Sequence, residues 1–112
     1  EFYENYGGNY QEAFGRLMKD ERILKYLKMF TQTDDYQQFK DNYMKESYED
    51  AFRSVHNVKG VSLNLALTPL VEISSVVCDE LRHGKPETDI SSDVKKLEEE
   101  YERVIKYINL ID

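Results

Sequence analysis

Cysteine, proline and glycine are all scarce in this chain of 112 residues, which holds one Cys, two Pro and five Gly. A lone cysteine, Cys78, can build neither an internal disulfide framework nor a Cys-rich zinc site. Basic charge is also short: 15 Lys and Arg stand against 22 Asp and Glu, a formal net charge of −7. That balance argues against a nucleic-acid binder, which needs a clustered basic face. No apolar run approaches the ~20 residues of a membrane span, and no signal-peptide pattern opens the chain. Strand signals are missing as well, with no sustained apolar–polar alternation and no glycine-containing hairpin turns. An unpaired cysteine without an export signal makes the reducing cytoplasm the expected compartment. The length suits a single domain, residues 1–112, with roughly two-thirds of its unfolded surface buried. It is too short for separate cofactor and substrate lobes.

What is present is helical periodicity. Ile90, Val94, Leu97, Tyr101, Val104, Ile108 and Ile111 recur at alternating steps of four and three. This puts them on one stripe of a long helix, with Lys95, Glu98, Glu99, Glu102 and Arg103 outside it. Leu70, Ile73, Val77 and Leu81 form a second stripe. Ala51, Val55, Val58, Ser62 and Leu65 form a third, in a helix starting near Ser47. Tyr36, Phe39 and Tyr43 mark a shorter helix, and the polar break Thr31–Asp35 before it can supply a cap. Thr68-Pro69 reads as an N-cap followed by proline at the first helical position. Gly84 with Pro86 reads as a helix stop. Two further pieces, near Asn9–Met18 and Asp20–Phe30, read as helices. The expected fold is therefore all-α: an antiparallel four-helix bundle with one or two short N-terminal helices covering one end.

The third stripe holds the functional clue. Advancing ~100° per residue from its centre places Phe52, His56, Lys59 and Leu63 at roughly 80° to 140°, and Gly60 near the opposite side. His56 thus falls at the solvent edge. Phe52 lies one turn before it, Lys59 one turn after, and Gly60 beside it at i+4. A glycine inside a helix costs ~1 kcal/mol relative to alanine. Packing alone gives no reason for it on an exposed face; missing bulk beside the ring does. Neutral histidine is a good nucleophile near pH 7, with a reference pKa of ~6.5. A phosphoryl group on its outer nitrogen would lie within reach of the Lys59 ammonium. The order His56-x-x-Lys59-Gly60 therefore reads as a phosphoryl acceptor and donor.

The stretch Ser54-Val55-His56-Asn57-Val58-Lys59-Gly60-Val61-Ser62-Leu63-Asn64-Leu65 resembles the signature of the histidine-containing phosphotransfer (HPt) domain. His56, Val58, Lys59, Gly60, Ser62 and Leu65 match that family's pattern. The Tyr48-Glu49-Asp50-Ala51-Phe52 lead-in, the Leu81-Arg82-His83-Gly84 helix end and the acidic last helix agree with it. Two positions depart: Val55 stands where a small residue is usual, and Ala66 where glycine is usual. The positions expected to face the imidazole from the next helix are Ser75, Cys78 and Asp79, where the family often has Gln or Glu.

The resemblance implies relay of a phosphoryl group between aspartates of response-regulator receiver domains, with a hybrid histidine kinase as a further partner. His56 would be the phosphoacceptor and Lys59 would offset phosphoryl charge. Gly60 would give clearance, and Phe52, Leu63 and Leu67 would form an apolar docking patch. No cofactor is expected on this chain; Mg²⁺ would come with the receiver. No Gly-rich phosphate loop or ATP motif is present, so autophosphorylation is not expected. A monomer is expected. The start at Glu1-Phe2 without Met reads as trimming of a longer chain, and the last helix, ending at Asp112, favours a free-standing relay protein.

Other readings stay open. A degenerate HPt domain would bind a receiver without transfer. The phosphoacceptor domain of a sensor kinase usually has an acidic residue after the histidine and a proline soon beyond, whereas Asn57 follows here. A bundle-core metal protein needs inward carboxylates with Glu-x-x-His motifs from two helices, and the single Glu80-Leu81-Arg82-His83 does not make that set. His83 reads as a structural cation near a helix C-terminus, Cys78 as a small buried apolar residue, and Glu98–Glu100 as a solvated face.

Overall fold

The computed structural model describes residues 6–9 and 20–110, and every regular element among them is an α-helix. In chain order these are α1 (Asp20–Phe30), α2 (Asp35–Met44), α3 (Tyr48–Asn64), α4 (Thr68–Leu81) and α5 (Ser91–Asn109). Short links make neighbours in sequence neighbours in space: α2 packs on α3, α3 on α4, and α4 on α5. The expected helix near Asn9–Met18 lies, apart from Asn9, outside the described residues, as does Ile111.

The apolar stripes form the core. Ala51, Val55, Val58, Ser62 and Leu65 are all buried. Leu70, Val77 and Leu81 join them from α4, and Leu97, Val104 and Ile108 from α5. Ile73, Val94 and Tyr101 pack against this cluster while half-buried. The three buried serines turn back onto their own helices, Ser54 donating to the Asp50 carbonyl at 3.1 Å. Ser62 donates to the Val58 carbonyl at 2.6 Å and Ser74 to that of Leu70, so burying the hydroxyls leaves none unpaired.

Helix ends follow identifiable bonds. Thr31 and Thr33 donate their hydroxyls to the Lys28 and Phe30 carbonyls, at 2.7 and 3.0 Å. The polar break therefore closes the end of α1. Asp34 stands at the N-cap of α2 without a side-chain capping bond. Both α2 and α3 end in a Schellman motif. In α2, Glu46 adopts φ 61°, with Ser47 N–H on the Asn42 carbonyl and Glu46 N–H on that of Tyr43. In α3, Ala66 adopts φ 53°, with Leu67 N–H on the Ser62 carbonyl and Ala66 N–H on that of Leu63. Gly84, at φ 93°, closes α4 with its N–H on the Leu81 carbonyl.

The second motif corrects two expectations. Leu67 follows the left-handed residue and folds inward, fully buried, so it is a core residue and cannot line an exposed docking patch. Leu67, not Thr68, also takes the N-cap position of α4, and Thr68 is already helical.

A strap from the start of the chain crosses to α5. The buried Tyr6 donates its hydroxyl to Glu100 at 3.2 Å. The Arg103 guanidinium donates to the Tyr6 carbonyl at 2.7 Å and lies 4.6 Å from the centre of its ring. Asn9 N–H reaches the Ala66 carbonyl at 3.1 Å. The acidic run of α5 is therefore not merely solvated. Glu98 accepts from Tyr36 at 3.4 Å and pairs with Lys40 at 3.5 Å, while Glu100 serves Tyr6 and Arg103.

Candidate functional site

Helix α3 sets the site by register alone. Ser47 stands at its N-cap and Glu49 and Asp50 occupy its first turn, where carboxylates favour the helix dipole. Arg53 is held by Glu49 at 2.7 Å and by Asp50 at 3.2 Å. With Val55 and Val58 fixed inward, His56 must point outward, and it is exposed.

The imidazole lies 5.9 Å from the ring of Phe52, one turn back, with the planes at 40°. Phe52 is half-buried, its inner edge packed on the core. Lys59 is half-buried one turn on, and Leu63, the next apolar residue on this face, is 42% exposed. Among the described residues no hydrogen-bond partner holds the His56 ring, and the Lys59 ammonium sits in no ion pair.

Gly60 is helical and exposed. A Cβ built on it would meet nothing within 4 Å among the described residues. Neither a left-handed backbone nor a close contact with a described helix therefore asks for glycine there. The opening beside the imidazole faces outward.

Of the positions expected to face His56 from α4, Ser75 is half-buried, Cys78 buried and Asp79 exposed. Burial pushes the Cys78 thiol up, only partly opposed by Lys59, so Cys78 is a packing residue, not a reactive one. Asp79 accepts from Arg82 at 2.8 Å. That hydrogen bond holds its carboxyl below the ordinary range, and the Lys59 ammonium acts in the same direction. The Arg82 guanidinium in turn lies 5.8 Å from the centre of the Phe52 ring, within cation–π range.

Arg82 is the residue that sequence reasoning missed. Its spacing to Asp79, i to i+3, was visible. Its approach to Phe52, thirty positions earlier, depends on how α3 and α4 pack. His83 is exposed just past α4. No group of three or more His, Cys, Asp or Glu side chains among the described residues could hold a metal ion, and no helix among them is long and apolar enough to cross a membrane. No family model, curated protein or solved structure matches this chain.

Proposed function

We propose that this chain is a histidine phosphotransfer protein of the HPt type, relaying a phosphoryl group between receiver-domain aspartates with His56 as phosphoacceptor. The observation that carries the reading is the open ground at Gly60: an unfavourable helical residue with no packing neighbour among the described residues, next to an exposed imidazole.

In the forward step the outer imidazole nitrogen attacks the phosphorus of an aspartyl phosphate on a docked receiver. The new P–N bond forms as the acyl P–O bond breaks. The carboxylate stays on the receiver and the imidazole proton passes to solvent. Return transfer reverses these bonds onto the next receiver. Lys59 offsets the charge of the phosphoryl oxygens. Phe52 and Leu63 offer the apolar contact area around the histidine. The receiver brings the Mg²⁺ and the acidic pocket, and this chain needs no cofactor of its own. Helices α2 to α5 are read as the antiparallel four-helix bundle that presents this face, and the protein as a cytoplasmic monomer.

The test uses a panel of receiver domains, each phosphorylated with a small acyl phosphate and then mixed with the full chain. Acid-labile phosphate on His56, absent in His56→Gln, is the expected result. A receiver that binds without any transfer would replace the relay by the pure binding reading. No binding and no transfer across the panel would remove both.

A further inference from the structure

We propose that Asp79 and Arg82 form a charge-exchange pair serving His56: Asp79 holds Arg82 while the imidazole is bare, and Arg82 turns to the phosphoryl oxygens once His56 is phosphorylated. The inference rests on the phosphoacceptor reading of His56.

Three features point to it. The Phe52 ring is shared, with the imidazole 5.9 Å from its centre and the guanidinium 5.8 Å. Both groups therefore neighbour one ring, and a swing of the exposed Arg82 side chain past that ring is the movement the exchange requires. The pair it would leave is weak. Arg82 and Asp79 side chains are 49% and 69% exposed, and ion pairs in water contribute little. A phosphoryl group is the better acceptor, with up to two negative charges and three oxygens matched to a guanidinium fork. Asp79 therefore competes with the phosphoryl group for Arg82. Once displaced it is repelled by the new charge and turns to solvent. The consequence is a bond kept transferable: the phosphoryl group is lost faster once it takes up a proton, the Arg82 guanidinium opposes that proton, and Asp79 weakens its hold.

The experiment loads the full chain with phosphoramidate. The donor's P–N bond breaks, the phosphoryl group passes to the imidazole nitrogen, and ammonia leaves with the imidazole proton. Intact mass and ³¹P NMR follow loading, decay and the titration of the phosphoryl group, with His56→Gln as the blank. Arg82→Gln is expected to shorten the phosphohistidine half-life about threefold and Asp79→Asn to lengthen it about threefold, changes of the size one exposed ion pair supplies. The phosphoryl titration should move to higher pH in Arg82→Gln and to lower pH in Asp79→Asn. Arg82→Lys should stay near wild type, and the double variant should decay like Arg82→Gln alone. Wild-type decay and titration in both single variants would overturn the pair while leaving His56 as acceptor. Failure of the wild type to load at His56 would instead overturn the phosphoacceptor reading.

Discussion

His56 and Phe52 face solvent together, 5.9 Å between ring centres and one helical turn apart, yet only Phe52 reaches the core. The aromatic ring therefore has two tasks that substitution can separate: it anchors α3 and it flanks the imidazole.

Phe52→Ala is expected to destabilise the fold by about 2 kcal/mol, less than a fully buried aromatic would cost. The protein should stay folded, as judged by a single cooperative urea transition. Phosphotransfer from a receiver should lose affinity more than maximal rate, which a KM-against-kcat comparison reads.

Gly60 gives effects of opposite sign on stability and function. Gly60→Ala should stabilise α3 by about 1 kcal/mol, because the helix gains a better former and the methyl meets open space. Gly60→Gln should be of similar stability yet slow transfer to His56 by about tenfold, or 1.4 kcal/mol of barrier. A Gly60→Gln protein that transfers at the wild-type rate would remove the clearance role.

The two left-handed helix ends make a matched pair. Glu46 is exposed at φ 61°, so Glu46→Gly should relieve strain and raise stability by about 1 kcal/mol. Ala66 adopts φ 53° but is buried. Ala66→Gly should gain the same relief and lose about 0.8 kcal/mol of buried methyl, for a net change near zero. Urea midpoints of the two variants test the contrast.

Glu80 on α4 should make stability fall as pH rises. One carboxylate oxygen, Oε1, is buried without a hydrogen-bond partner. Burial, with Asp93 at the start of α5 acting in the same sense, pushes the carboxyl up to about 7. Tyr43 from α2 and Asp89 from the α4–α5 link share this corner, and His83 and Lys85 line the same cleft. The folded state holds the proton more tightly than the unfolded chain. Its stabilising effect is thus complete below about 4.5 and is lost as pH rises through about 7. Glu80→Gln should flatten this profile and be more stable than wild type at alkaline pH, with the advantage gone in acid. Parallel urea profiles for the two proteins would exclude the effect.

Periodicity made the inward residues legible. Ala51, Val55, Val58, Ser62 and Leu65 are buried as their spacing requires, and His56 and Gly60 are exposed for the same reason. Register on one helix is a local property, written in the order of residues. Leu67 was misplaced because no stripe predicts the left-handed Ala66 that turns it inward. Arg82 was missed because its neighbour Phe52 is on another helix. Glu98 and Glu100 looked idle for the same reason, since the tyrosines that bond them come from α2 and from the strap. Partners brought together by packing leave no mark in the spacing of either segment.

The strap has a consequence for folding. Tyr6 finds its hydroxyl acceptor at Glu100 and its cation at Arg103, almost the full chain away. Tyr6 cannot take its place until α5 offers it Glu100 and Arg103, and closing a loop over such a span carries an entropic cost that local helix contacts do not. Its contacts therefore belong to the non-local part of the fold, whose entropic cost must be met before they stabilise anything.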